Sequence, residues 1–310
     1  MSVRALLTTL FVVLLHARPS LSLCLRPEED CAWINDYETS ECQSTHMFMA
    51  RGSTSPYPGH LAELMRLICD GVEGTCGFEN IVYPASNAKG QWCNSAKEGT
   101  LNGQAQLRNY TERCPDSKMV VLGFSQGGSV VWDMLGGGGG VHVMGCDQEI
   151  VEGLDANTIP GSKIAAAVSW GPTVRSAHQN FTVKGGDRFD GIAARTNSSL
   201  EGLHAFGDRI REYCQPRDPI CAPSSGKTDM SKHLDYFDQW NQEAADWVLK
   251  LVQPATTPST NNTGNDANSE GPAGGLHESS AKALKALHAD SWYTVVLKAL
   301  YLGVVLFVLV

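Results

Sequence analysis

The sequence predicts an α/β fold in which helices cover both faces of a five-stranded parallel sheet. Three observations point there: short, strongly apolar runs, helix-spaced apolar positions between them, and turn-rich punctuation where one gives way to the other. The first run, "THMFMA" (Thr45–Ala50), meets "RGSTSPYPG", whose Gly, Ser and Pro residues turn a buried strand into a loop. Leu61, Leu64, Met65 and Ile68 then recur at the spacing of one helix face. "ENIVYPA" (Glu79–Ala85) reads as the second strand. Gly103 to Arg113 is polar with weak periodicity, which suits a surface helix. "KMVVLGF" is the third strand, "KIAAAVSW" (Lys163–Trp170) the fourth and "RIREYC" (Arg209–Cys214) the fifth. Between the third and fourth, "GGGGG" (Gly136–Gly140) reads as a mobile loop. Phe237, Trp240, Ala244, Trp247, Val248 and Leu251 mark a closing amphipathic helix.

A chain of 310 residues can bury a substantial core. Its net charge of −9, without a basic stripe, argues against a nucleic-acid partner. Both termini read as address labels. Arg4 precedes "ALLTTLFVVLL", and Ser20 and Ser22 suit cleavage before Leu23, so residues 1–22 read as a secretory signal peptide rather than a buried helix. Residues 23–41 form an N-terminal extension carrying Cys24 and Cys31. From 253 to 281 the chain turns to Pro, Thr, Asn and Gly without an apolar face, the composition of a disordered stalk open to O-glycosylation. Residues 282–310 end in "WYTVVLKALYLGVVLFVLV". With Ser279, Ser280 and Ala281 ahead of a polar spacer, this matches a GPI-attachment signal, with Gly274 and Gly275 as further attachment candidates. A transmembrane tail is the rival reading, although Lys298 interrupts it and no basic flank follows. The protein thus reads as extracellular and held at a cell surface through the membrane. Asn109, Asn180, Asn197 and Asn261 begin N-glycosylation sequons.

All ten cysteines follow the cleavage point, an even count that suggests disulfides in a secreted chain. No CxxC pair or closely spaced histidine pair supports a metal site. Cys42 and Cys114 each precede a predicted strand, and Cys214 and Cys221 can close a small local loop. The other pairings stay open.

Gly123-Phe124-Ser125-Gln126-Gly127 is a G-x-S-x-G match, weak as a pattern and informative through its setting. "KMVVLGF" supplies the strand and "QGGSVVWDML" the helix of a nucleophile elbow, whose glycines permit a sharp turn. A structural turn serine is the bland alternative. A serine nucleophile needs a histidine base and an orienting acid. His142, His178, His204, His233, His277 and His288 all follow Ser125. His233 lies just before the last helix, and Asp218 lies in "CQPRDPIC", where Cys214 and Cys221 can clamp it. Asp208 with His204 is another pairing that the sequence leaves open. The backbone N–H of Gln126 is the expected first donor to an oxyanion, and Ser53, in the loop after the first strand, is a candidate second.

Taken in order, "RGSTSPYPG", "CPDSKMVVLGFSQGG", "YCQPRDPIC" and "KHLDY" resemble the cutinase and acetylxylan esterase family of secreted serine esterases. The resemblance spans residues 42–252. It implies a cutinase-like α/β hydrolase: a three-layer α/β/α sandwich on a five-stranded parallel sheet. It implies Ser125 as nucleophile, His233 as base, Asp218 as orienting acid, and Ser53 and Gln126 as oxyanion donors, with no cofactor. It also implies Cys42–Cys114 and Cys214–Cys221 disulfides. The expected substrate is an ester: a cutin-like polyester, an acetylated polysaccharide or a short acyl ester. "RGST" and the His-Leu pair at His233 look cutinase-like, whereas "SWGPTVRSAHQNFTV" looks closer to the acetylxylan esterases. Phe124 stands where the family usually has Tyr, and the extension, stalk and tail are not part of the basic enzyme. A non-catalytic surface protein on the same scaffold is the alternative from a different class.

Overall fold

The structure is a computed structural model and describes residues 32–253. The expected signal peptide, stalk and C-terminal attachment signal, with Cys24, Cys31 and Asn261, lie outside the described residues.

In chain order the strands are β1 (Thr45–Ala50), β2 (Cys76–Asn80), β3 (Lys118–Phe124), the short hairpin β4 (His142–Val143) and β5 (Cys146–Asp147), then β6 (Ile164–Trp170), β7 (Thr182–Val183) and β8 (Ile210–Tyr213). The helices are α1 (Ala62–Gly71), α2 (Trp92–Arg113), α3 (Gln126–Gly136), α4 (Asn197–His204), α5 (Ser231–Leu234) and α6 (Tyr236–Val252). The main sheet has the order β2-β1-β3-β6-β8-β7, and every pair in it is parallel.

Alternation along the central strands builds a core on each face. Phe48, Val121 and Ala167 point to one side, packed with Trp92, Leu107 and Val130 from α2 and α3. Met47, Met49, Val120, Leu122 and Val168 point to the other, against Leu64, Met65 and Ile68 of α1 and Ala244 and Val248 of α6. Strands buried on both faces explain the nearly continuous apolar runs in the sequence. Among the described residues four disulfides form: Cys42–Cys114 and Cys214–Cys221, as expected, and Cys69–Cys76 and Cys93–Cys146.

Four expectations are corrected. The sheet has six strands, not five: the two-residue β7 adds to β8 through Thr182↔Glu212 and Val183↔Tyr213, too short to leave an apolar run. The second strand precedes "IVYPA", because its register with β1 ends at Met49↔Asn80. Ile81 and Tyr83 are buried beyond it in irregular backbone. The helix placed at Gly103–Arg113 begins at Trp92 and buries a full face. Its inward positions include Gly99, Thr100, Gly103 and Gln104, so small and polar residues there hide the apolar period. Finally, the glycine run is packed: Gly138 exchanges both backbone bonds with Val151 at 2.9 Å, and Gly140 N donates to Gln148 O at 2.9 Å.

The chain leaves α6 beside the N-terminal ends of the strands. Lys118 Nζ, at the start of β3, donates to Val252 O at 2.5 Å, and Gln253 Nε2 donates to Gly71 O at 2.6 Å. The loops after β1, β3, β6 and β8 gather at the other end. β1 and β3 are adjacent and their outgoing connections part to opposite sides of the sheet, the place where open α/β sheets bind ligands.

Candidate active site

Ser125 is the single residue between β3 and α3, held at φ 56° and ψ −117°. That conformation is costly for a residue with a Cβ, so the surroundings must hold it. Ser125 N donates to Trp170 O on the neighbouring strand at 2.8 Å, and Ser125 O accepts from Ser129 N at 3.1 Å. Gly127 is required by contact: a Cβ there would lie 2.0 Å from the Ala50 carbonyl oxygen. The hydroxyl is partly exposed at the N-terminus of α3, where the helix dipole favours negative charge.

The other half of the site comes from two segments far along the chain. After β8 the Cys214–Cys221 disulfide closes the loop that holds Asp218. The one-turn helix α5 carries His233. His233 Nε2 lies 2.9 Å from Ser125 Oγ, and Nδ1 lies 3.0 and 2.9 Å from the two Asp218 oxygens. With the ring neutral and its proton on Nδ1, the imidazole donates to the carboxylate and accepts from the serine.

Asp218 is fully buried, and a buried carboxylate must be richly hydrogen-bonded. Its Oδ1 accepts from the N–H groups of Ile220 at 2.7 Å and Cys221 at 3.2 Å. Its Oδ2 accepts from Tyr236 Oη at 2.6 Å. Burial, then the Asp218 charge, push the Tyr236 phenol well above its ordinary range, so it remains a donor. Gln215 ties the acid loop to the histidine segment, its Nε2 donating to Lys232 O at 2.8 Å and to Asp235 Oδ1. Gly171, at φ 51°, lies beneath the pair: a Cβ there would meet His233 Nδ1 at 2.9 Å and Asp218 Oδ2 at 3.1 Å.

An aromatic floor joins the two halves. The Phe124 ring lies 4.8 Å from His233, 4.9 Å from His60 and 5.0 Å from Phe237, centroid to centroid. Burial, reinforced by His233, lowers the His60 pKa to about 4. Beside the site, Met230 and Leu234 flank His233 at 53% and 43% exposure, and Ile192, 40% exposed, bonds Ile220 of the acid loop.

The structure therefore brings Ser125, His233 and Asp218 together. It also places Ser53 beside Gln126: Ser53 Oγ donates to Gln126 Oε1 at 3.3 Å, while Gln126 Nε2 donates to Ser86 O at 3.0 Å and Trp92 O at 3.2 Å. The alternative pair is not assembled: His204 bonds Gln179 and Asp208 is exposed, with no bond between the two among the described residues. His142 instead bonds Asp147 in the β4–β5 hairpin. Asn109, Asn180 and Asn197 are exposed. Sequence reasoning missed Tyr236, Gly171 and His60. Tyr236 follows His233 by three residues, and Gly171 directly follows a strand, but neither spacing alone signals chemistry.

The family model described as Cutinase matches residues 41–252. The chain is 29% identical to Cutinase 11 of Verticillium dahliae over 72% of its own length and 74% of that protein. It is 27% identical to an acetylxylan esterase of Hypocrea jecorina over 67% of each chain. Among solved structures, the catalytic core domain of acetyl xylan esterase from Trichoderma reesei superposes with a TM-score of 0.55 at 26% identity, covering 68% of this chain and all of that one.

Proposed function

Because this chain belongs to the cutinase family, we propose that it is a serine esterase hydrolysing carboxylic esters through Ser125, His233 and Asp218. The hydrogen-bonded line from Ser125 Oγ through both nitrogens of His233 to Asp218 carries this reading. Ser125 Oγ attacks the ester carbonyl while His233 Nε2 takes its proton. Asp218 steadies the imidazolium, and Ser53 and the Gln126 N–H stabilise the tetrahedral oxyanion. Collapse of that intermediate expels the alcohol, protonated by His233, and leaves an acyl-serine. Water, activated by the same histidine, releases the acid and restores Ser125. Replacing Ser125 with Ala is expected to lower kcat on p-nitrophenyl butyrate by about 10⁴-fold or more. Substantial turnover by a folded Ser125→Ala protein overturns the assignment.

The substrate reading is cutinase-like. Exposed Met230, Leu234 and Ile192 beside the histidine and acid segments suit an apolar acyl chain. The second reading, deacetylation of xylan, draws on the similarity to the Trichoderma reesei acetyl xylan esterase core. Rates on acetate, butyrate and longer acyl esters separate the two: a preference for acetate favours the second. We also place the enzyme outside the cell, in keeping with four disulfides among the described residues. Attachment through a GPI anchor extends this, motivated by the C-terminal sequence pattern. Phosphatidylinositol-specific phospholipase C then releases the protein from intact cells, and failure of such release sinks the anchor.

A further inference from the structure

We infer that Arg51 is a positioning residue for transition-state stabilisation: its guanidinium sets the loop that presents Ser53 to the developing oxyanion. The inference rests on the esterase reading above and deepens it.

Arg51 follows β1 directly, and its side chain turns back under its own loop. Nε donates to Ser55 O at 2.7 Å, Nη1 to Tyr83 O at 2.7 Å and Nη2 to Pro84 O at 3.1 Å. One planar cation thus gathers carbonyls from two segments, a fork that a lysine ammonium cannot reproduce. Its plane is also held by aromatic faces, with the guanidinium carbon 3.9 Å from the Tyr57 ring centroid and 5.1 Å from that of Tyr83. The same two tyrosines close the structure. Tyr57 Oη donates to Tyr83 O and accepts from Tyr83 N, both at 3.1 Å, and Tyr83 Oη donates to Arg51 O.

Between these anchor points the backbone passes through Ser53 and then Thr54, which sits at φ 59°. A threonine in that region is strained and needs its neighbours to keep it there. Thr54 N donates to Ala85 O at 2.8 Å, the next carbonyl along the segment that Arg51 grips. Ser86, one residue further, accepts from the Gln126 side chain, which in turn accepts from Ser53 Oγ. Arg51 and Gln126 therefore fix the same strip, residues 83–86, from opposite ends, and Ser53 is located by both. Preorganised donors stabilise an oxyanion only when aimed within a few tenths of an ångström of it. Loosening this strip is expected to reduce charge stabilisation in the transition state while leaving ground-state binding in place.

The test compares wild type, Arg51→Ala and Arg51→Lys, with rates normalised to sites titrated by a fluorophosphonate so that any unfolded fraction drops out. In Arg51→Ala, kcat on p-nitrophenyl butyrate is expected to fall by about 30-fold, with KM within about two-fold, somewhat less than loss of a donor outright. Affinity for an alkyl trifluoromethyl ketone, which adds to the serine as a tetrahedral mimic, is expected to fall by a similar factor. Guanidinium ion at millimolar concentration is expected to restore part of the rate. Arg51→Lys is expected to lose about ten-fold, because charge without the fork holds fewer carbonyls, and it decides the matter if Arg51→Ala does not fold. Unchanged kcat per titrated site in Arg51→Lys, or ketone affinity that stays at the wild-type level while kcat falls, overturns the inference. Failure of the esterase reading looks different: wild type itself then yields no titratable serine.

Discussion

The two halves of the site are held by opposite means. Ser125 is wedged: a strand, a helix and a neighbouring strand's carbonyl leave its turn no room, and the contact at Gly127 is filled to the last ångström. His233 and Asp218 are tethered: a disulfide, a tyrosine and a glutamine side chain hold a loop and a single helical turn that have little regular structure of their own. A wedge fails by collision, here with the Ala50 carbonyl of another strand. A tether fails by release, and here each tie joins residues close in sequence.

The wedged side is the more sensitive to a single added atom. Gly127→Ala pushes a methyl into the Ala50 carbonyl oxygen at 2.0 Å, against backbone with no flexible side chain to yield. The expected cost is at least about 3 kcal/mol, read as a large loss of midpoint in denaturant unfolding or as failure to accumulate folded protein. A variant of wild-type stability denies that the wedge exists.

His60 probes the seam between the halves, since its ring lies against Phe124 of one and Phe237 of the other. Its pKa is about 4 in the folded chain and near its ordinary 6.5 when unfolded. The unfolded state therefore binds the extra proton between those values. The stability His60 contributes by staying neutral is complete above pH 6.5 and is lost as pH falls towards 4, by about 2 kcal/mol at pH 5. Thermal unfolding measured from pH 7 to pH 4 should show this slope in wild type and lose much of it in His60→Phe. Equal slopes in both proteins remove His60 from the account.

On the tethered side, Cys214→Ser with Cys221→Ser opens a short loop and is expected to cost about 2 kcal/mol. Activity should fall more than the unfolded fraction explains, because Asp218 sits inside the loop; activity that tracks folded protein alone argues that the tether is dispensable. The smallest effect belongs to Tyr236→Phe, which deletes one hydrogen bond to the carboxylate at a cost of about 1.5 kcal/mol. With binding unaffected, kcat should drop by about ten-fold while KM stays put. A mutant with wild-type kcat would mean that the two backbone N–H groups on Asp218 suffice.

Contiguity along the chain explains what could be read from the sequence. The elbow was legible because its strand, turn and helix, from "KMVVLGF" to "QGGSVVWDML", are contiguous, although the Ala50 and Trp170 carbonyls that hold it are not. Asp218 stood out through its bracketing cysteines, yet its choice over Asp208, and of His233 over His204, needed the family resemblance, because nothing local shows that a loop after β8 meets a turn before α6. Tyr236 was hidden for another reason: on an amphipathic helix a tyrosine counts as core, and only the fold shows its hydroxyl on the acid. β7 was invisible because two residues carry no period, and the inward face of α2 because Gly99 and Gly103 fit against Tyr83, Val130 and Met134 by being small rather than apolar.

The exit of the chain beside Lys118 has a geometric consequence. β3 runs seven residues from Lys118 to Phe124, roughly 20 Å, and Ser125 follows immediately. The last described residue thus departs from the pole of the domain opposite the hydroxyl. A tag or solid support joined directly at Gln253 would therefore attach to the face of the domain opposite the mouth of the site.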